Sequence, residues 1–358
     1  MTAPADLAVP VRRPAAVAPD AGVPARIAAI ATHLPDGVLT NDQLAATFPD
    51  WPAAKILAKT GIRERRIARP DETAGDLAAA AAATLFTNGA IATDEVDFLI
   101  LCTQAPDHIL PTTACLLQDR LGLRTSIGAL DINLGCSGYV YGLSLAAALI
   151  AAGMAQTLLL LTADTYSKYI HDLDKSVRTL FGDGATATLV RADSASARIG
   201  PFVFGTDGGG GKDLIVPAGG FRLPRSTDTA RVAADRTGNA RAADHLFMDG
   251  GNVLAFTLRE VPAAIGALLA KTGTTIDDYD HVVFHQANKF MLDTLQRKLG
   301  LPDAQVPRLY EHVGNTVSST IPFVLEEQMR HGRCSAGTRS MLVGFGVGLS
   351  WAAASITF

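Results

Sequence analysis

Three side chains that could carry out covalent chemistry lie far apart in the 358-residue sequence: Cys136, His285 and Asn315. Cys136 follows a glycine in DINLGCSGYVYG and precedes a long apolar stretch that reads as a helix. Free N–H groups and the dipole at the start of a helix favour the thiolate, which is the reactive form of cysteine. Cys136 could therefore be a nucleophile, although a buried cysteine can also be a small apolar core residue.

His285 in VVFHQAN and Asn315 in HVGNTVSST could act with that thiol. His285 could equally be a core or capping histidine, and Asn315 could simply cap the helix that follows it. Together, as two neutral hydrogen-bond donors, they could bind a thioester carbonyl while it becomes an enolate. The backbone N–H groups of Cys136 and Val347 could form a second pair of donors, an oxyanion hole.

The elements that must position these residues alternate along the chain between short apolar runs and helical patterns. Strands are predicted over 26–32, 97–103, 126–132, 157–162, 185–192, 281–287, 340–346 and 350–358, and helices over 72–89, 112–122, 136–153, 253–273, 288–300 and 318–332. This alternation predicts an α/β fold with largely parallel sheets. Residues 139–163 are apolar and long enough to cross a membrane, but a buried helix followed by a central strand explains them better.

Short words in the first half of the chain recur in the same order in the second half. The matched pairs are 117–118 with 295–296, 135–137 with 314–316, and 181–184 with 345–348. A duplicated unit is therefore predicted, with halves at 26–195 and 196–358 after a flexible tail at 1–25. Sites in open α/β sheets form beyond the carboxyl ends of the strands, so a pseudo-twofold axis would bring Cys136, His285 and Asn315 into one cleft.

Composition limits the class of protein. With 48% hydrophobic and 18% charged residues and a net charge of −4, the chain has no electrostatic signature of nucleic-acid or membrane binding. Its four cysteines form no CxxC pair, so neither a metal site nor a redox cofactor is expected. Reduced thiols and the lack of a signal-peptide pattern favour the cytoplasm. The basic run at 61–69, GIRERRIAR, is typical of a solvated face, although it could attract the phosphates of a substrate.

Six segments together resemble the beta-ketoacyl-ACP synthase III family, in the same order and over residues 26–358. They are TGIRERRIA, DINLGCSGYVYGLSLA, LFGDGATA, VVFHQANKFMLDTLQRKLG, HVGNTVSSTIP and GFGVGLSW. The resemblance implies a thiolase-like fold of two pseudo-symmetric α-β-α-β-α halves and a homodimer.

The same resemblance implies a reaction, which needs no metal or redox cofactor. An acyl-CoA would acylate Cys136, and His285 and Asn315 would assist decarboxylation of a malonyl thioester, carried on acyl carrier protein (ACP) or CoA. The carbanion would then attack the acyl-cysteine and give a 3-oxoacyl thioester. On this scheme Cys136→Ala loses acylation, whereas His285→Ala and Asn315→Ala retain acylation but lose condensation.

The resemblance also implies substrate contacts. Lys175 stands where an arginine of the family clamps the CoA adenine, and Gly250 and Asn252 follow a methionine as pantetheine contacts. Asn288 belongs to the HQAN segment of the same site. Leu110 occupies a position that in the family reaches across the dimer to shape the partner's acyl pocket.

Several positions depart from the family pattern. Phe290 replaces an arginine that helps to dock ACP, and Trp51 lies farther upstream of TGIR than the family's adenine-stacking tryptophan. Because these changes concern substrate recognition and leave the three chemical residues intact, a member serving a specialised fatty-acid or polyketide-like pathway is predicted.

Two other functions stay open at this point. Cys136 could pass its acyl group to an oxygen or nitrogen acceptor without condensation, because the acyl-enzyme step is shared. The chain could instead be a non-catalytic partner subunit, although such a subunit would be expected to lack one of the three residues.

Overall fold

The computed structural model describes residues 22–193 and 196–358. The strands are β1 (Ala25–His33), β2 (Gly37–Thr40), β3 (Glu64–Ile67), β4 (Phe98–Cys102), β5 (Gly128–Ile132), β6 (Thr157–Asp164), β7 (Gly184–Ala192), β8 (Arg198–Thr206), β9 (Leu214–Ile215), β10 (Ala233–Ala234), β11 (Ala240–Arg241), β12 (Phe247–Met248), β13 (His281–Phe284), β14 (Arg339–Gly346) and β15 (Ser350–Thr357). The helices are α1 (Asn41–Thr47), α2 (Ala53–Thr60), α3 (Ala74–Thr87), α4 (Thr113–Arg120), α5 (Gly138–Ala151), α6 (Lys175–Arg178), α7 (Gly250–Thr272), α8 (Lys289–Leu299) and α9 (Thr320–Arg330).

Four of the five strands in the first main sheet have the same order as the four strands of the second, and β5 has no counterpart. The first runs β1-β7-β6-β4-β5, and the second runs β8-β15-β14-β13. In each sheet the first two pairs are antiparallel and the third is parallel. β4 and β6 lie inside the first sheet because their runs FLILC and TLLLLTAD are apolar enough to be buried on both faces.

The prediction of largely parallel sheets is wrong, since both sheets are mixed. Apolar periodicity does not encode strand direction, and only three residues separate β14 from β15, a connection too short for a parallel crossover. β8 was not predicted from the sequence. Its run RIGPFVFGT contains Gly200 and Pro201, residues that weaken a strand pattern and are tolerated on the edge position that β8 occupies.

Five layers result from the packing of helices on these sheets. α5 and α9 lie between the sheets and share one apolar core with both. α3 and α4 cover the outer face of the first sheet, and α7 and α8 pack in the core of the second. The predicted α/β architecture is confirmed.

Residues 139–163 form α5 followed by β6, as predicted, and not one membrane-length helix. Within the described ranges, α7 is the one helix whose length and hydropathy would allow it to span a bilayer. Its side chains Val253, Phe256 and Val261 pack in the core beneath the second sheet, as in a core helix of a globular domain.

The fold begins within the predicted N-terminal tail. Residues 1–21 lie outside the described part of the chain, but Val23 already pairs with Ile199, so the fold begins before residue 26.

The basic run at 61–69 is not a solvated face. Arg65 in β3 is fully buried and donates hydrogen bonds to the Thr179 carbonyl and to Asn41, and it is therefore a structural residue.

Candidate active site

Cys136, His285 and Asn315 line one cavity of about 560 Å³. Cys136 lies in the loop between β5 and α5, His285 directly follows β13, and Asn315 lies in the loop between α8 and α9. The structure thus brings together the three residues that sequence reasoning singled out. Lys175, Gly250 and Asn288 line the same cavity.

The Cys136 thiol is deeply buried, with 5% of the residue exposed. Gly346, at the end of β14, allows the two halves to meet here: a Cβ on it would lie 2.8 Å from both the Cβ and the Sγ of Cys136. The backbone N–H groups of Val347 and of Cys136 itself both interact with the sulfur. These two donors are the ones that the sequence suggested as an oxyanion hole.

The prediction of a thiolate at a helix start is not supported for the resting protein. α5 begins at Gly138, so Cys136 precedes the helix and its N-cap, Ser137. Burial, and secondarily the negative charge of Asp164, raise the pKa of Cys136 to about 12, although the N–H groups of Val347 and Cys136 oppose this shift. The thiol is therefore neutral and needs a base before it can attack.

His285 is the base that the cavity offers. Its Nδ1 lies 2.7 Å from the Oγ1 of Thr320, and that hydroxyl donates to the Val317 carbonyl at 3.1 Å. With its own proton used in this way, Thr320 accepts Nδ1–H, which leaves the lone pair of His285 on Nε2. Burial lowers the pKa of His285 to about 3, so the imidazole is neutral.

Asn315 is held on both its backbone and its side chain. Its N–H donates to the Leu180 carbonyl at 2.9 Å, and its own carbonyl accepts from the Gly182 N–H at 3.0 Å. The side-chain Oδ1 accepts from the Val317 N–H at 2.9 Å, which directs Nδ2 to His285 Nε2 at 3.4 Å. Asn315 does not cap α9, since that helix begins at Thr320.

The rim of the cavity carries charge and one aromatic ring. Lys175 does line it, but its Nζ is already bonded to Asp50 Oδ2 at 2.9 Å. Trp51 also lines the cavity, with the ammonium groups of Lys55 and Lys59 5.3 and 5.4 Å from its ring centre. The upstream position of Trp51 in the sequence therefore does not remove it from the site.

Two predicted contacts are not brought to this cavity. The side chain of Asn252 is exposed and donates to Asp213 Oδ1 at 3.0 Å. Leu110 lies on the loop between β4 and α4 with 80% of its surface exposed, and it does not line the cavity. Any contact from Leu110 to an acyl pocket would have to be made in another subunit.

Sequence reasoning missed Thr320 and Asp164. Thr320 sets the hydrogen bonding of His285, and nothing in SSTIP distinguishes it from a helix N-terminal threonine. Asp164, at the end of β6, is fully buried and accepts hydrogen bonds from Ser318 and from the Gln104 N–H. Burial raises the pKa of Asp164 to about 7.

Comparisons with known proteins agree with this geometry. The family model for 3-oxoacyl-[acyl-carrier-protein] synthase III matches residues 130–208, and the model for its C-terminal part matches residues 269–358. The beta-ketoacyl-[acyl-carrier-protein] synthase III of Caldanaerobacter subterraneus subsp. tengcongensis is 34% identical over 338 residues, which cover 93% of this chain and 98% of that protein.

Solved structures give the same result. A crystal structure of a 3-oxoacyl-(acyl-carrier-protein) synthase III superimposes with a TM-score of 0.92 at 61% identity and covers 93% of this chain and 99% of that chain. The 3-oxoacyl-(acyl-carrier protein) synthase from Burkholderia xenovorans LB400 superimposes with a TM-score of 0.86 at 37% identity, covering 94% of each chain. The chain therefore belongs to the 3-oxoacyl-[acyl-carrier-protein] synthase III family of acyltransferases.

Proposed function

We propose that the chain joins an acyl group from an acyl-CoA to a malonyl thioester by decarboxylative condensation, with Cys136 as the nucleophile. One observation carries this proposal: a neutral thiol, an imidazole whose lone pair is on Nε2 and a fixed carboxamide line the same cavity. A thiol and a base suffice for acyl transfer to the enzyme, and two neutral donors suit an enolate.

In the first half-reaction, His285 Nε2 takes the thiol proton of Cys136 as the sulfur attacks the acyl carbonyl. The N–H groups of Cys136 and Val347, which already interact with the sulfur, stabilise the oxyanion of the tetrahedral intermediate. When that intermediate collapses, the CoA thiolate leaves and takes the proton from His285.

In the second half-reaction, a malonyl thioester loses carbon dioxide and becomes an enolate. Asn315 Nδ2–H and His285 Nε2–H donate to the enolate oxygen. The imidazole must then carry its proton on Nε2, and the Thr320 hydroxyl can support that tautomer by donating to Nδ1 instead of to Val317. The enolate carbon attacks the acyl-cysteine, and the released Cys136 thiolate takes a proton from solvent.

The proposed steps need no metal ion or redox cofactor, because side chains and backbone groups supply the nucleophile, base and donors. Two features support substrates other than those of a housekeeping enzyme. Phe290, which stands in the place of a docking arginine, is more than half exposed, and the ammonium group of Lys175 is paired with Asp50. Two points stay predictions: that the chain serves a specialised pathway, and that acyl carrier protein carries the malonyl group.

We further propose that the chain acts as a homodimer in the cytoplasm. Ile109 and Leu110 are each 80% exposed at the tip of one loop, and burial of such adjacent apolar side chains against a second copy would remove them from water. A reducing compartment suits an enzyme whose nucleophile is a free thiol.

Two measurements on the purified chain test the proposed function. Intact-protein mass spectrometry after incubation with a series of acyl-CoAs should show one acyl adduct, located on Cys136 and missing from Cys136→Ala. Carboxyl-labelled malonyl thioester should then release labelled carbon dioxide only from the acylated protein. An adduct without carbon dioxide release would favour acyl transfer to an oxygen or nitrogen acceptor, and no adduct with any acyl-CoA would favour a non-catalytic subunit.

A further inference from the structure

The hairpin formed by β10 and β11 brings a buried polar side chain to the cavity that holds Cys136. Asn239, just before β11, is 7% exposed and lines this cavity. Among the described residues, no group donates a hydrogen bond to its side-chain oxygen Oδ1, although that atom is buried. A buried acceptor without a donor is costly, and a ligand in the cavity could supply one.

The orientation of the Asn239 carboxamide is fixed by its neighbours. Its Nδ2 donates to Thr237 Oγ1 at 2.8 Å and approaches Asp235 Oδ2 at 3.5 Å. The Thr237 hydroxyl donates to Asp235 Oδ1, so its oxygen can only accept from Asn239. Hydrogen bonds from Thr237 hold the pKa of Asp235 well below its ordinary value. Reversing the amide would therefore place Oδ1 against a carboxylate, and the nitrogen must stay on that side.

The turn that carries Asn239 is anchored to the first half of the chain. Asp235 Oδ1 accepts from the backbone N–H groups of Thr237 and Asn239, and Asp235 Oδ2 accepts from Arg241 at 2.9 Å. Arg241 also donates to the buried carboxylate of Asp174 at 2.6 Å. Asp174 caps α6, whose first residue, Lys175, lines the cavity. The acceptor is therefore held rigidly relative to the cavity wall.

We infer that Asn239 Oδ1 accepts a hydrogen bond from an amide N–H of the pantetheine arm of the substrate, and so is a specificity-determining residue. This inference rests on the proposed function, because a thioester must enter this cavity. The ring of Trp51 and the ammonium groups of Lys55 and Lys59 beside it suit a nucleotide at the rim, whereas a buried, uncharged acceptor suits an arm that carries amides.

The experiment compares thioesters that differ only in their carrier. For Asn239→Leu, which has a similar volume and no acceptor, the KM for acyl-CoA and for acyl-pantetheine should rise about 5- to 30-fold with kcat little changed. The rate of Cys136 acylation by the same acyl group on a simple alkanethiol, which has no amide, should not change. Asn88→Leu is the matched control, because it makes the same change at an exposed asparagine at the end of α3, outside the cavity, and it should raise KM by about threefold at most.

A second measurement does not depend on the folding of a variant. Acyl-pantetheine analogues in which one amide N–H is replaced by an ester oxygen should show the same rise in KM, about 5- to 30-fold, with the wild-type chain. The analogue that shows it should lose nothing further with Asn239→Leu. The inference is overturned if Asn239→Leu affects acyl-CoA alone, if it affects all three carriers equally, or if neither ester analogue binds more weakly. Absence of acylation by every thioester would instead refute the proposed function.

Discussion

The loops that carry Cys136 and Asn315 occupy matching places in the two halves, and each is held by a glycine of the other half. Gly346, in the second half, packs against Cys136, and Gly182, in the first, packs against the Asn315 loop, where an added Cβ would lie 2.2 Å from the Val313 carbonyl oxygen. Four strands of the first sheet also have the same order as the four strands of the second. The two halves therefore cross-brace each other at the site.

The use of the backbone donors is different in the two loops. Around Asn315, the N–H of Gly182 donates to the Asn315 carbonyl, and this hydrogen bond fixes the loop and the position of the carboxamide. Around Cys136, the N–H of Val347 faces the sulfur. One loop thus uses its donor to hold the backbone, whereas in the other loop the donor faces the sulfur and, on the proposed mechanism, would bind the oxygen of a reacting acyl group. On that mechanism, the first arrangement positions a side chain and the second takes part in the chemistry.

The largest expected effect tests this division directly. Asn315→Ala should lower condensation about 10²- to 10³-fold while acylation of Cys136 changes little, because the carboxamide acts only on the enolate. His285→Ala should lower both half-reactions, condensation by about 10³-fold and acylation by about 10²-fold, because the neutral thiol needs a base. This differs from the sequence-based expectation that both variants retain acylation, and the reason is the raised pKa of Cys136.

Single-turnover acylation followed by mass spectrometry, and release of labelled carbon dioxide, measure the two half-reactions separately. Cys115→Ala, at an exposed cysteine, is the matched control and should leave both rates unchanged. Equal loss of acylation in Asn315→Ala and His285→Ala would break the comparison, since the Asn315 loop would then take part in acylation as well as in condensation.

Substitution of Gly346 should lower the acylation rate, whereas substitution of Gly182 should lower the stability of the protein. Gly346→Ala places a methyl group 2.8 Å from the Cβ and the Sγ of Cys136 and should lower acylation about 100-fold, because the sulfur is displaced. Gly182→Ala meets a backbone oxygen that cannot rotate away, and it should lower the free energy of unfolding by about 1–3 kcal/mol. Denaturant unfolding and single-turnover acylation on both variants separate the effects. A Gly182→Ala protein of wild-type stability would contradict the proposed bracing.

Much of this comparison was visible in the sequence. Near-continuous apolar runs identified β4 and β6, and the recurrence of short words at half-chain spacing predicted that Cys136, His285 and Asn315 converge. Strand direction could not be predicted, because periodicity is the same for parallel and antiparallel strands.

The electrostatics of the site could not be predicted either. The pKa of Cys136 depends on burial and on Asp164, and the tautomer of His285 depends on Thr320 and Val317. Asp164 and Thr320 come from other elements of the fold, and the tautomer also depends on the direction in which the Thr320 hydroxyl points. No local sequence pattern indicates either. The sequence indicated which side chains could react, and the fold determines the protonation state of each in the resting protein.

Removal of the Thr320 hydroxyl should have a smaller effect that sharpens the role of His285. Thr320→Val keeps the shape of the side chain but leaves Nδ1 of the imidazole without its partner, so neither tautomer is supported. Both half-reactions should slow by about 10-fold, which corresponds to the loss of one buried hydrogen bond. Thr320→Ser should restore both rates, as a purely structural role for the methyl group would not allow. Unchanged rates in Thr320→Val would show that Thr320 does not position the base.

The smallest expected effect is the response of acylation to acid. An ordinary histidine with a pKa near 6.5 would be only about 3% unprotonated at pH 5 and would slow base-assisted attack accordingly. Burial lowers the pKa of His285 to about 3, so its Nε2 stays unprotonated, and single-turnover acylation at pH 5 should be within about threefold of the rate at pH 7. Asp164, with a pKa near 7, gains a proton in this window. That proton removes a negative charge beside Cys136, which can only ease ionisation of the thiol. Asp164→Asn should therefore abolish any rise in rate toward acid, and a loss of about 10-fold or more at pH 5 in a folded wild-type protein would show that His285 titrates as an exposed histidine does.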